Sequence, residues 1–178
     1  MMQNPRHVVL RQLTADDAAA FRTLRLYALR DAPTAFGASL SEEASRSVDD
    51  IAHRLAAVVD GSRYVVGAFA PALVGMAGFF RESTPKTSHI GTVWGVFVSP
   101  PCRRRGLAQQ LVSRVVAHAE TLPGLRQLQL RVGTHNVAAR ALYESFGFRQ
   151  VGVIPEALCV GAQFYDEAIL IRQVGAGS

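Results

Sequence analysis

Cysteine and lysine are scarce in this chain. Two cysteines, Cys102 and Cys159, stand far apart among 178 residues with no C-x-x-C spacing. That excludes a disulfide framework and argues against a cysteine-based zinc site. The five histidines, His7, His53, His89, His118 and His135, show no metal-ligand spacing either, so no metal is expected. No apolar run approaches the ~20 residues that a membrane span requires. Residues Met1 to His7 are polar and lack the apolar segment of a secretory signal. A soluble, cytoplasmic protein with no membrane partner is the expectation. G-x-x-x-x-G-K-S/T and G-x-G-x-x-G are both missing, so neither a Walker loop nor a dinucleotide fingerprint supports a nucleotide fold.

What is present describes a folded domain. Hydrophobic residues make up 49% and charged residues 19% of the chain, as in globular proteins. The length suits one domain spanning 1–178, with its core over about 7–172. The net charge of +5 and pI near 9.9 favour an anionic partner: nucleic acid, lipid headgroup or phosphorylated cofactor. The excess is arginine, since Lys86 is the one lysine. Apart from residues 103–105 the arginines are scattered, which argues against a nucleic-acid stripe.

The hydrophobic period changes along the chain in a readable order. Val8 to Leu13 predicts a strand, and Thr14-Ala15-Asp16-Asp17 resembles a capping box opening a helix to about Leu29. A second helix is predicted from Ser47 to Asp60-Gly61. Tyr64–Phe69 and Leu73–Phe80 read as strands joined through Ala70-Pro71-Ala72, and Gly91–Val98 as the next strand, with Gly95 marking a bulge or a close approach. Leu107, Leu111 and Val115 space a helix that ends at Pro123-Gly124. Leu125–Val132, a helix over Val137–Phe146, then Phe148–Ile154 and Phe164–Ile171 complete the chain, with Pro155–Gln163 as a loop and Val174–Ser178 frayed. The class is α+β: a central, mixed, mostly antiparallel sheet of about seven strands flanked by about four helices.

The stretch Val96-Phe97-Val98-Ser99-Pro100-Pro101-Cys102-Arg103-Arg104-Arg105-Gly106-Leu107-Ala108 contradicts ordinary helix electrostatics. A helix N-terminus carries partial positive charge and favours acidic neighbours, yet three arginines precede it. A bound polyanion resolves the conflict, because first-turn N–H groups lack partners and can hold phosphate oxygens. Gly106 adds a backbone that a ligand can approach closely. Surface arginines at ordinary strand–helix punctuation are the alternative.

A second signal is Asn136-x-x-Ala139-x-x-Leu142-Tyr143-x-x-x-Gly147-Phe148. Together, in this order and with the intervening helix, the two segments resemble the GNAT superfamily of acyl-CoA-dependent N-acyltransferases. The first fits its Q/R-x-x-G-x-G/A pyrophosphate loop, and the second fits its later strand–helix–strand segment. Pro33-Thr34-Ala35-Phe36-Gly37 followed by Glu42-Glu43 looks like one branch of that superfamily. The resemblance implies a GNAT-like fold and acetyl-CoA as acyl donor. Phe97 and Val98 would pair with the pantetheine arm as an added strand, and amides from Arg104 through Arg105, Gly106, Leu107 and Ala108 to Gln109 would hold the pyrophosphate. Arg103 and Arg104 side chains would reach phosphate. Asn136 would bond the pantetheine across Ala139, and Tyr143 would protonate the departing thiolate as general acid.

Helical spacing independently puts Asn136 and Tyr143 on one face, because seven positions are almost two turns. Each keeps an ordinary reading beside the functional one: a packing tyrosine and a helix cap. The general base stays open. Gly91-Thr92-Val93-Trp94-Gly95-Val96-Phe97 carries no carboxylate where many members of the superfamily place one. Glu42, Glu43, Glu82, His89, Asp166, Glu167 or a water relay are the candidates, and Trp94 and Phe36 are candidate walls of the acceptor pocket. The resulting expectation is N-acetyl transfer from acetyl-CoA to a small-molecule or peptide primary amine by direct attack in a ternary complex, with a homodimer as one assembly. The rivals are a non-catalytic acyl-CoA-binding module and a basic nucleic-acid binder.

Overall fold

The computed structural model describes residues 8–56 and 58–175. Seven strands form one sheet: β1 (Val9–Gln12), β2 (Arg63–Phe69), β3 (Leu73–Arg81), β4 (Ile90–Val98), β5 (Gln127–Gly133), β6 (Arg149–Val160) and β7 (Gln163–Gln173), in spatial order β1-β2-β3-β4-β5-β7-β6. Every pairing is antiparallel except β4 with β5. The helices are α1 (Ala18–Asp31), α2 (Leu40–Ala44), α3 (Val48–Leu55), α4 (Leu107–Glu120) and α5 (Val137–Ser145).

Strand alternation assigns the two faces. Val66 and Ala77 point to one face, where α4 buries Leu111, Val112 and Val115 against Leu128, Leu130 and Leu170. Their neighbours Val65 and Met76 point to the other, under Phe21, Leu24 and Ala28 of α1 and Ile51 and Leu55 of α3. Each fully buried leucine or valine here contributes about 1.5–3 kcal/mol of transfer free energy. In β5, Leu128, Leu130 and Val132 join the α4 core, while Gln129 and Arg131 face the opposite side. On that opposite side a concavity remains, floored by β4, β5 and β7.

Several boundaries differ from the sequence expectations. The Thr14 box is present, with Thr14 N–H donating to Asp17 Oδ2 at 2.8 Å. It opens a short 3-10 turn, Ala15–Asp17, before α1 begins. Ser47 caps α3 as expected, accepting from Asp50 N–H at 3.0 Å. That helix stops at Leu55 rather than at Gly61, because Ala56 turns extended, with ψ of 131°. The five-residue α2 was not foreseen, although Ser39 and Glu42 cap it reciprocally.

The expected loop Pro155–Gln163 is mostly strand. β6 continues to Val160 through an irregularity between Ile154 and Leu158. There Pro155 has no N–H to give the ladder, Glu156 adopts φ of +50°, and Glu156 N–H donates to Asp166 Oδ1 instead, at 2.8 Å. Val174, expected in a frayed tail, is buried and its N–H donates to Arg126 O at 2.8 Å. Residues 176–178 of that tail, and residue 7 at the expected core boundary, lie outside the described residues.

Candidate active site

β4 and β5 are hydrogen-bonding neighbours only where Ile90, Gly91 and Thr92 oppose Gln127, Leu128 and Gln129. Beyond Thr92 the two strands part. The cause is in β4: Gly95 sits at φ of +65°, and the β3–β4 register shifts between Met76 and Gly78. An extra residue on one strand bends it away from its neighbour.

Backbone directions in the gap follow from one bond. Ser99 N–H donates to Val74 O at 2.8 Å, so the Val74–Ser99 pair is hydrogen-bonded. Antiparallel pairs alternate, so Val98, opposite Gly75, turns both backbone groups away from β3 and into the gap. Val98 O accepts from Arg103 Nε at 2.9 Å, which fits that direction. Phe97, opposite Met76, has its backbone turned to β3.

The gap is walled by α5. A cleft of about 370 Å³ is lined by Val96, Phe97 and Val98 on one side and by Asn136, Ala139, Leu142 and Tyr143 on the other. Asn136 caps α5, its Oδ1 accepting from Ala139 N–H at 3.1 Å. The amide nitrogen remains available as donor. Tyr143 is buried, and its ring meets Phe148 edge-on with centroids 6.0 Å apart. Burial pushes its phenol above the ordinary value. The hydroxyl is not sealed in the core, because the fully buried side-chain atoms lacking partners belong to Arg25, Arg54 and Arg140 among the described residues.

A second cleft of about 250 Å³ abuts the first, sharing Val98, Arg103, Ala108 and Leu142, and ends against Arg104, Gly106, Leu107 and Gln109. α4 begins there with no acidic residue in its first turn and no side-chain cap. Gly106 adopts φ of +72°, and Arg104 has the left-handed φ of +61° that only glycine takes without cost. Arg103 is engaged internally: Nη2 donates to Asp31 Oδ2 at 2.7 Å, so this side chain ties the end of β4 to the end of α1. Arg104 and Arg105 are exposed. Leu107 is buried in the α4 core and offers its backbone alone.

A further concavity, about 660 Å³, adjoins the Tyr143 cleft through Ala35 and Phe36. Trp94, Phe36, Thr92, Gln129 and Leu158 line it, so the two aromatic wall candidates are both there. Of the base candidates, Glu82 and Glu167 line it too. Glu82 Oε1 accepts from Thr92 Oγ1 at 3.2 Å, near the end where β4 and β5 are still paired. Glu167 is 7% exposed and opposes Gly133, whose carbonyl accepts from Asn136 N–H at 2.9 Å. That places Glu167 at the Asn136 end.

The remaining candidates sit elsewhere. Glu42 accepts from Ser39 N–H and Oγ at 2.8 and 2.7 Å, bonds that hold its carboxyl below the ordinary range, the backbone one first. Glu43 is buried among Arg25, Arg46 and Arg54, at 3.9, 3.4 and 3.6 Å. Asp166 accepts from the β6 backbone. His89 is exposed at the entry to β4, where its carbonyl accepts from Arg126 and Gln127.

Arg25 was not among the sequence candidates. It belongs to the buried face of α1 with Phe21, Leu24 and Ala28, and a charged residue in that apolar stripe was the available signal. Its guanidinium lies 4.8 Å from the Phe36 ring centre and 5.9 Å from that of Trp94. Burial draws its pKa down, and the Glu43 charge opposes that.

Residues 24–148 match the profile of the Acetyltransferase (GNAT) family. A curated relative, the ribosomal protein bS18-alanine N-acetyltransferase of Salmonella typhimurium, is 36% identical over 80 residues, 45% of this chain and 53% of that protein. The chain spans about half the length of the curated relatives it matches. The fold is shared with a GNAT-family acetyltransferase of Streptococcus pneumoniae, at a TM-score of 0.84, 22% identity, and coverage of 95% of this chain and 100% of that one. It is shared as well with a Salmonella typhimurium acetyltransferase solved with its cofactor acetyl-CoA, at 0.81, 18% identity, and coverage of 97% and 96%. Among the described residues no helix is long and apolar enough to cross a membrane.

Proposed function

The chain belongs to the GNAT acetyltransferase family, and we propose that it transfers an acetyl group from acetyl-CoA to a primary amine by direct attack within a ternary complex. The observation that carries this reading is Val98. Its N–H and C=O face a gap between two strands of one sheet, between Tyr143 at one end and the Gly106 turn at the other. An extended amide-bearing arm completes such an edge as a strand would. The donor also needs an anion site, and free first-turn amides with Arg104, next to the exposed Arg105, supply one at the far end.

The donor supplies an acetyl thioester, and the chain's residues do the rest. Asn136 orients the arm through its side-chain amide. A backbone N–H near Val98, other than the one that pairs with the arm, stabilises the negative charge that develops on the carbonyl oxygen. Glu167 accepts one proton from the acceptor's ammonium, whose pKa in a free amine is near 10, and so frees the nitrogen lone pair that attacks the thioester carbon. As the new C–N bond forms and the C–S bond breaks, Tyr143 gives its proton to the departing sulfur, and the second proton shed by the acylated nitrogen passes through solvent to restore the phenol. The products are an N-acetyl amine and the free thiol. We place the protein in the cytoplasm, where Cys102 and Cys159, both unbridged, stay reduced.

The test is acetyl-CoA with a panel of amines, read by free thiol. Amine-dependent thiol release supports transfer. Tight acetyl-CoA binding without turnover on any amine supports a binding module, and displacement of acetyl-CoA by DNA or RNA at physiological salt supports the nucleic-acid rival.

A further inference from the structure

Arg25 is 6% exposed, and its Nε and Nη1 find no hydrogen-bond partner among the described residues. Its nearest carboxylate oxygen, on Glu43, is 3.9 Å away, beyond hydrogen-bond distance. Glu43 is shared with Arg46 and Arg54, so one carboxylate serves three guanidiniums. Arg54 also leaves Nη1 without a hydrogen bond. A buried donor without a partner is costly, and more so when charged.

The direction of Arg25 is fixed by what surrounds it. It lines the 660 Å³ concavity beside Phe36, Trp94 and Gly95. A Cβ built on Gly95 would stand 3.8 Å from Nη1, with nothing else within 4 Å. Nε and Nη1 are shut off from solvent, and Nη2, which is not among those fully buried atoms, is the nitrogen left to face the concavity. Phe36 and Trp94 hold the guanidinium carbon from two rings, which orients a planar fork for a planar anion.

The same concavity carries Glu82 and Glu167 on its sheet side. Arg131 of β5 adds an exposed cation among those carboxylates, so what sets the α1 side apart is a buried guanidinium without a hydrogen-bond partner. A polycation would meet repulsion at that guanidinium, and a plain monoamine would leave it unpaired.

We propose that Arg25 is the anion-binding residue of the acceptor site, and that the acceptor is an amine bearing a carboxylate, of the amino-acid class. The proposal rests on the acetyltransferase reading and adds the acceptor's second functional group. Selection follows from the asymmetry of burial, because an acceptor lacking the anion leaves the guanidinium unpaired.

The chain's one tryptophan, Trp94, stands in this pocket and reports occupancy without turnover. The wild-type protein saturated with acetyl-CoA is titrated with the standard L-amino acids and, for each, its α-amide. Trp94 fluorescence and thiol release are followed in parallel. The expected result is at least one amino acid favoured over its amide by about tenfold or more, the scale of one charge-assisted hydrogen bond. In Arg25→Gln that preference falls to about unity while the amide and acetyl-CoA affinities hold. Arg25→Lys retains part of it. The wild-type comparison stands even where Arg25→Gln fails to fold.

Amides used as well as acids across the panel would overturn the proposal and leave the acetyltransferase reading intact. So would a preference that survives in Arg25→Gln. No acetyl-CoA saturation and no thiol from any amine would overturn both.

Discussion

Replacing Tyr143 by phenylalanine removes one oxygen and little else. The ring's edge-on contact with Phe148 at 6.0 Å is retained, and among the described residues the hydroxyl has no hydrogen bond to break. The stability change should therefore stay within about 0.5–1 kcal/mol. The catalytic change is set by the leaving group. General acid assistance is worth about 10²–10⁴, but a thiol of ordinary pKa ~8.5 departs comparatively well as thiolate. The lower end is expected: kcat falls about a hundredfold, or ~2.7 kcal/mol of transition-state stabilisation. The acetyl-CoA dissociation constant should stay within about threefold, because the pantetheine contacts assigned to Val98 and Asn136 persist.

Burial raises the Tyr143 phenol above its ordinary value, and the neutral form is the donor. A raised pKa extends that form to higher pH, so the wild-type kcat profile should show no alkaline fall below about pH 10 from this group. Steady-state thiol release and calorimetric acetyl-CoA titration measure both quantities. A donor thioester with a more acidic thiol should narrow the deficit, since it needs less protonation. A Tyr143→Phe enzyme with kcat within threefold of wild type, or with acetyl-CoA affinity falling in step with kcat, would refute the assignment.

Glu167→Gln should lower kcat by about a hundredfold or more with acetyl-CoA binding unchanged, while Glu82→Gln stays within about threefold; initial rates on one amine rank them, and the reverse order would move the base to Glu82. Arg104→Ala with Arg105→Ala should weaken acetyl-CoA binding about three- to tenfold, roughly 1 kcal/mol for exposed charge pairs, yet leave acetyl-pantetheine unaffected. Calorimetry at two salt concentrations checks this, and equal losses for both donors would contradict a phosphate role. Asp17 is held at about 2, first by the Arg11 side-chain hydrogen bond. A depressed carboxylate contributes stability above its unfolded pKa near 3.9 and loses it as pH falls through about 2. With Arg11 46% exposed, about 1 kcal/mol of acid sensitivity should disappear in Asp17→Asn, read by denaturant melts at pH 5 and pH 2.5.

The proposed donor half of the site is legible in the sequence because it is written in neighbouring residues. Two prolines, three arginines and Gly106 lie in one run, and Asn136 and Tyr143 are separated by two helical turns, so local geometry alone juxtaposes them. The acceptor half depends on tertiary placement. Glu167 and Glu42 look alike in the chain, and only the register of β7 against β5 turns one into the cavity, while a serine cap holds the other outside. Arg25 carried a faint signal as a charge in the apolar stripe of α1, but its lack of partners is a property of the assembled pocket. Residues 155–163 read as a loop in the sequence because Pro155 and Gly161 ordinarily punctuate strands. Here the bulge absorbs the proline, and Gly161, at φ of +63°, makes the tight turn that lets pairing resume. Arg103 points the other way: adjacent in sequence to the proposed phosphate loop, it spends its guanidinium on Val98 and Asp31.

The direction of one backbone amide decides whether the β4–β5 gap can hold the pantetheine arm. Residue-resolved hydrogen exchange of Val98, measured with and without saturating CoA, tests it directly. With the β4–β5 gap as the pantetheine site, Val98 N–H exchanges readily in the free protein and is protected on CoA binding, along with the first-turn amides Leu107 to Gln109. Protection of Val98 already present in the free protein, or exchange unchanged by bound CoA, would contradict it.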